Sequence, residues 1–499
     1  MGAFTDTVSI AGELVSYDPA TREVLGKVPC ATPAEVRAAV ERARVAQALW
    51  AELPVRERCR RVAAFRDALR NDAEALATLL SRECGKPRFE ALMQEVVNLL
   101  DLLGYFVDRG PEILQPKKIA LHLLRHRASY LHYVPRGVVA VISPWNYPFA
   151  IAGGTIAMAL IAGNAVVLKP SEVTPLIADR MRALFLEAGL PGDLFQVVHG
   201  AGDIGAALIA TQPDYVHFTG STTTGRKIAA ACGERLIPCA VELGGKAPAI
   251  VCADADLART AQAIVWGAFS NQGQICASVE RVYAHAAIHD ELVQRVITLA
   301  KDLRLGDPRQ PEIDVGVMTW ERQRDIAHEI VQGAIEAGAK LELGGHTHGS
   351  GLGYAPTILT GCTQDMAVMR REIFGPVMPI MRVADEAEAI RLANDSDVGL
   401  VGYVFTADAE KGRRLAEQVA CGTVMVNDVL ATHGAPETPW AGLKGSGFGR
   451  AHSDEGLRDL CQERHVNHER FSAPRELWWY PYSDKMYKRA LAALRWWFK

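Results

Sequence analysis

From Gly137 to Leu168 the chain carries no charged residue, and this stretch limits the possible folds more than any other. It is long enough to cross a bilayer, so it belongs either in lipid or in a protein core that covers it on every side. Pro144, Asn146, Pro148, Gly153, Gly154 and Asn164 interrupt it. Breakers at that density suit poorly a lipid-facing helix, which must satisfy all its own backbone groups. The β-rich run Val138 to Ile142, followed by a turn and a helix of small residues, fits a strand and helix buried in a parallel sheet. A buried strand, turn and helix is the expectation.

The rest of the chain repeats that alternation. Helical spacing dominates the first hundred residues, for example from Pro33, with Thr32 as a plausible N-cap. Strand candidates follow at Gly137 to Ser143, Ala165 to Leu168, Leu194 to Val198 and Tyr215 to Thr219, each leading into a helical pattern as in βαβ units. A second series after Glu242 comprises Ala249 to Val251, Val282 to Ala284, Gly402 to Phe405 and Thr423 to Asn427. The fold class expected is α/β: a doubly wound sheet, then a second α/β domain beginning near Glu242, packed together with a cleft between them.

Composition removes some function classes. A chain of 499 residues that is 49% hydrophobic can bury more than one core. Its net charge of -4 gives no footprint for nucleic acid and no sign of a generally membrane-bound protein. The 10 cysteines are scattered without a CxxC pair, as in a reducing compartment. Met1 to Val15 contain Asp6 and Glu13 and lack both a basic start and an apolar h-region, so no secretory leader is expected and the cytoplasm is the default address.

Three separate stretches carry the chemistry: Val141-Ile-Ser-Pro-Trp-Asn-Tyr-Pro-Phe149, Val241-Glu-Leu-Gly-Gly-Lys246 and Gly273-Gln-Ile-Cys276. In order and spacing they resemble signature segments of the aldehyde dehydrogenase superfamily. The likeness extends from about Val15 to Gln462 through Asn164 to Glu172, Phe218 to Ser221, Glu372 to Pro376 and Gly445 to Gly449. A carbonyl carbon has no good hydride to give until a nucleophile adds to it, and cysteine both adds and leaves on hydrolysis. The resemblance implies that Cys276 is this nucleophile. It implies further that Asn146 and the Cys276 backbone N–H hold the oxyanion, and that Glu242 is the base that activates water against the thioester. Apolar Val241 and Leu243 beside Glu242 should raise its pKa.

A Rossmann-like dinucleotide-binding domain is implied as well, over residues 1–116 and 137–242, with a catalytic domain over 243–443. A small β oligomerisation element would comprise 117–136 and 444–473, and an aromatic, basic tail 474–499. Gly220-Ser-Thr-Thr-Thr-Gly225 opens a helix directly after a strand, where amides can meet a pyrophosphate oxygen. By the resemblance the cofactor residues are Trp145, Lys169, Ser171, Glu172, Gly220, Ser221, Gly225, Leu243, Glu372 and Phe374. Lys169 and Glu172 would bind the adenosine ribose and Glu372 the nicotinamide ribose. A carboxylate at the ribose 2'-OH repels a 2'-phosphate, so Glu172 favours NAD, with NADP as the alternative. A homodimer or homotetramer is implied, with contacts near Lys117 to Arg136 and along the C-terminal strand.

Two departures stand out. Many family members carry a lysine nine residues after the oxyanion asparagine, where this chain has Thr155. Gly153 and Gly154 are small where some relatives have a bulky wall, which predicts a roomy apolar channel for medium, long or bulky aldehydes. The tail holds Trp478, Trp479, Trp496 and Trp497, and a helix over its last residues would align Tyr487, Ala490, Leu491, Leu494 and Phe498. Such a helix suits a membrane interface or packing on protein. His346, His348, His465 and His468 read as loop histidines, and no metal is expected. The rival readings are a CoA-acylating dehydrogenase, a catalytically silent binding or structural relative, and a thiol esterase.

Overall fold

The computed structural model describes residues 12–349, 351–471, 474–476 and 478–498. Of the leader expectation for residues 1–15, the part on 1–11 falls outside them. The charge-free stretch folds as strand Val138–Ile142, helix Ala150–Ala162 and strand Ala165–Lys169, nearly all of it buried. Among the described residues no helix is long and apolar enough to cross a membrane. Asn164 stands between helix and strand for a reason. Its Oδ1 accepts from the N–H groups of Arg136 at 2.7 Å and Gly137 at 3.0 Å, and its Nδ2 donates to the Leu460 carbonyl at 2.9 Å.

The first sheet runs Gly447–Phe448, Cys239–Glu242, Tyr215–Thr219, Val138–Ile142, Ala165–Lys169, Phe195–Val197. Its five main strands are parallel, and Gly447–Phe448 closes one edge antiparallel to Cys239–Glu242. The second sheet runs Lys340–Leu343, Thr357–Thr360, Val377–Val383, Val279–His285, Ala247–Val251, Val401–Phe405, Thr423–Val426. It is parallel except at Lys340–Leu343. Both sheets are α/β layers with helices against their faces, and all eight strands expected from sequence are present. The sheets part at Gly244-Gly245, between strands ending at Glu242 and starting at Ala247.

Several elements differ from the sequence reading. Glu13–Tyr17 and Val24–Pro29 form an antiparallel pair, where a helical start was expected; three consecutive buried residues in the first strand and a mostly exposed second strand leave no alternating apolar pattern. Gly153 does not widen a channel, whereas Gly154 borders the small cavity beside Cys276. A Cβ on Gly153 would run into Leu99, and one on Gly154 would lie 3.3 Å from Leu102, so the two glycines let helix Ala150–Ala162 lie close against helix Asn98–Ile113. His465 and His468 lie on strand Cys461–Glu469, not in a loop.

Of the described residues, 12–114 and 134–462 form one compact unit, and 115–133 with those from 463 onward form another. Residues 444–462 thus fall in the first unit, whereas the sequence reading put 444–473 in the oligomerisation element. The second unit is built on strands in the order Cys461–Glu469, Arg127–Pro135, Lys117–Ile119, with Tyr130 stacked on His468. It ends in helix Asp484–Trp497, capped by Ser483 Oγ accepting from the Met486 N–H.

Candidate active site

Cys276 follows helix Leu257–Phe269 after an abrupt turn. Asn271, Gln272 and Gly273 all take positive φ, at 47°, 55° and 69°, a conformation that costs a side-chain-bearing residue on the order of 1 kcal/mol or more. Surrounding hydrogen bonds hold it there. Glu90 accepts from Ser270 Oγ at 2.7 Å and from the Asn271 N–H at 2.9 Å. Asn271 Nδ2 donates to the Asn146 carbonyl at 3.1 Å, and Gln274 Nε2 donates to the Asn271 carbonyl at 3.0 Å. Gly245 completes the setting, since a Cβ there would run into the Cys276 carbonyl.

Asn146 is buried and donates through Nδ2 to the Gln274 carbonyl at 2.9 Å. A side-chain amide carries two hydrogens, so one is committed to the turn that carries Cys276. The Asn146 backbone is fixed independently: Lys86 Nζ donates to its carbonyl at 2.7 Å and pairs with Glu95 at 2.7 Å, both side chains fully buried. The other Glu95 oxygen accepts from the N–H groups of Phe149 and Ala150 at 3.1 and 2.9 Å, at the start of the charge-free helix, where an anion is favoured. Sequence reasoning missed Lys86 and Glu95. The available signal was confined to Glu95, a glutamate in the helical run Ala91–Val97 at a position that is buried; Lys86 lies in the break between Gly85 and Pro87, where no periodicity marks it.

Glu242 ends its strand 4% exposed, and neither carboxylate oxygen has a hydrogen-bond partner among the described residues. Burial raises its pKa well above the ordinary carboxylate range. Burial, together with the charges of Glu372 and Glu242, pushes the Cys276 thiol up to about 12, against the opposing pull of the Cys276 and Ala277 N–H groups. The resting site therefore holds a thiol, and a positive charge brought beside it would favour the thiolate.

Glu372 accepts from the Gly245 N–H at 3.0 Å, and Trp145 meets Phe374 edge to face at 5.4 Å. Glu280 organises this corner. It pairs with Lys246 at 2.9 Å and accepts from the N–H groups of Ile373 and Phe374, and so holds the loop bearing Glu372. Lys169 Nζ lies 3.3 Å from Glu172 and donates to the Gly200 carbonyl at 3.2 Å. Ser171 accepts from the Val173 N–H, and Ser221 caps helix Thr222–Glu234 by accepting from the Thr224 N–H at 3.3 Å. Gly220 donates its N–H to the Glu242 carbonyl, while Gly225 packs against Leu243. Lys169, Glu172 and the helix end after Ser221 thus lie along the carboxyl edge of the first sheet, a donor set suited to a dinucleotide.

Cys276 faces two cavities. The larger, about 330 Å³, is open and lined by Met93, Val97, Trp266, Ile275, Leu430 and Trp440 among others. Met93 and Val97 come from the π-helical turn Ala91–Val97. The smaller, about 40 Å³, is lined by Thr155, His217, Glu242, Leu243, His433 and His452 with Cys276. Ile151, Cys276, His433 and Trp440 line both. Burial lowers the pKa of His217 and His433 to about 4 and holds that of His452 well below the ordinary imidazole range, so all three imidazoles are neutral at neutral pH.

Sequence reasoning missed this histidine cluster as well. Elsewhere, Cys252, Asp254 and Glu386 are close enough to share an ion, but the Lys411 ammonium lies among them, 3.0 Å from Asp254 and 2.5 Å from Glu386.

The model of the aldehyde dehydrogenase family matches residues 5–466. A 4,4'-diapolycopene aldehyde oxidase of Methylomonas sp is 40% identical over 477 residues, covering 95% of this chain and 89% of that relative. A protein named as a succinate-semialdehyde dehydrogenase [NADP(+)] of Mycolicibacterium smegmatis is 38% identical, covering 89% and 87%. The crystal structure of an NAD-dependent aldehyde dehydrogenase from Sinorhizobium meliloti superposes with a TM-score of 0.89 at 34% identity, covering 94% of each chain.

Proposed function

The chain belongs to the aldehyde dehydrogenase family and oxidises aldehydes, and from this premise we propose that it takes apolar aldehydes, with NAD, to the acid through a Cys276 thioester. The observation that carries the reading is the wall shared by two cavities. Cys276 stands between a wide apolar funnel and a narrow space containing Glu242. The aldehyde would enter from the funnel, add the Cys276 sulfur and place its oxygen between the Asn146 Nδ2 and the Cys276 N–H. NAD, when bound, accepts the hydride. Lys169, Glu172 and Glu372 would hold its riboses, with the helix end after Ser221 near the pyrophosphate. Glu242 would then take a proton from the water that hydrolyses the thioester. A water route rather than CoA transfer is favoured by this enclosed carboxylate.

Specificity should follow the funnel. Trp266, Met93 and Val97 are 46%, 43% and 39% exposed at its lining, so a longer alkyl chain continues to bury surface there. Each methylene leaving water is worth about 0.8 kcal/mol, close to fourfold in kcat/KM. NADH formation across an aldehyde length series, with 4,4'-diapolycopene aldehyde in the panel, should show kcat/KM rising with length, and Trp266→Asp should flatten that rise. A flat series in the wild type would reject the apolar assignment. NADH formation by Cys276→Ala would reject the thioester route.

We further propose that the second unit binds anionic membranes. Residues 115–133 and 463–499 hold twelve Lys and Arg against four Asp and Glu, a charge of +8 in a chain whose total is -4. Beside that charge lie Trp478, Trp479, Trp496 and Phe498, 47%, 53%, 71% and 78% exposed. Aromatic rings suit the headgroup boundary, and each basic residue near an anionic surface adds about 1 kcal/mol. The three-stranded sheet of the same unit is the proposed subunit contact of a homodimer or homotetramer. The full chain should co-sediment with vesicles containing phosphatidylserine and not with phosphatidylcholine alone, and truncation after Pro474 should abolish it. Unchanged vesicle binding, or a loss of oligomer with no vesicle binding at the start, would reject the membrane assignment.

A further inference from the structure

Resting on the thioester reading above, we propose that His217, His452 and His433 form the route by which the active site discharges a proton to solvent. Oxidation of an aldehyde with water yields the carboxylic acid, a hydride delivered to the cofactor and one further proton. The acid carries its own proton away. The other must come off the buried pair formed by the Cys276 thiol and the Glu242 carboxylate, and it must reach solvent before the next turnover.

The smaller cavity supplies a path. Three of its walls present polar groups without partners among the described residues: both oxygens of Glu242, Nε2 of His217 and Nδ1 of His452. Each of these side chains is more than nine-tenths buried. A buried polar atom needs a hydrogen bond, and about 40 Å³ is room for two or three waters at roughly 10–15 Å³ each. His217 sits on the strand beside Glu242, and the register pairs Thr219 with Glu242 and His217 with Ala240, so alternation sends His217 and Glu242 to the same face.

The outer end is equally defined. The His452 ring meets the His433 ring at 4.9 Å, and His433 lines the funnel as well as the smaller cavity. There its Nδ1 lies 3.2 Å from Asn98 Nδ2, and Asn98 also lines the funnel. A proton leaving Glu242 can pass through cavity water to a neutral imidazole, which picks up on one nitrogen and releases from the other, and emerge at His433. Thr155 is not part of this route, because its hydroxyl donates to the Ile151 carbonyl within its own helix at 3.3 Å. The three histidines act through Glu242 and water and are positioning and relay residues.

The test reads the relay apart from hydride transfer, using the whole protein and 4-nitrophenyl acetate, which acylates the same cysteine without cofactor. In His433→Ala, nitrophenolate from the first turnover should appear at the wild-type rate as a burst near one per site. The steady-state rate should fall on the order of tenfold, and added imidazole should restore it by entering the vacated wall. His452→Asn, which keeps a polar side chain in that wall, should show the same burst and slow phase. An unchanged steady state, or a loss shared equally by the first turnover and insensitive to imidazole, overturns the relay. A protein that turns over the ester but makes no NADH from any aldehyde overturns the proposed oxidation instead.

Discussion

In Glu242→Gln the first equivalent of NADH should form at close to the wild-type rate, while steady-state turnover falls by about 10²–10⁴, the usual worth of a positioned base. Gln keeps the shape of a side chain that packs 4% exposed at the end of its strand, so the fold should survive. It cannot take a proton from water. The acyl-enzyme should therefore accumulate, visible as a rapid burst of NADH and as an added acyl mass on Cys276. Equal losses in burst and turnover would assign Glu242 to the acylation step.

Lys86→Met should produce the largest change in stability. It leaves the Glu95 carboxylate fully buried with no cationic partner, and losing one member of such a pair costs about 3–5 kcal/mol. The same substitution removes the 2.7 Å donor to the Asn146 carbonyl, so kcat/KM should fall even at temperatures where the protein stays folded. Denaturant unfolding with parallel kinetics checks both. Glu95→Gln should be milder, because the glutamine oxygen can still accept from the N–H groups of both Phe149 and Ala150, which share one Glu95 oxygen, and Lys86 keeps the Asn146 carbonyl. A Lys86→Met protein with wild-type midpoint and turnover would show that the pair fixes nothing.

Much of the site was legible in sequence because its chemistry sits in short contiguous segments. Asn146, Glu242 and Cys276 each lie in a local motif, and the motif of Asn146 follows a strand that its apolar run identifies, whereas the strand ending at Glu242 and the turn before Cys276 were not expected. What could not be read is what long-range packing assembles. His217, His433 and His452 are single residues far apart in the chain, and nothing local distinguishes a buried neutral imidazole from an exposed one. The role assumed for Gly153 failed for the same reason: whether a missing side chain makes a channel or admits a neighbour depends on Leu99, which sequence does not bring near. The first hairpin was missed because a half-exposed pair of strands leaves little apolar alternation.

The strained turn at Asn271–Gly273 has a consequence for how the enzyme comes into being. Its restraint comes from Glu90, 180 and 181 residues earlier in the chain than the groups it holds, and from the Asn146 carbonyl. The proposed nucleophile cannot be set until distant parts of the polypeptide have met. Before then Cys276 is an ordinary thiol on a relaxed loop. Competence is thus a late event in maturation, and a lesion near Glu90 can leave a well-folded protein whose cysteine was never brought to bear.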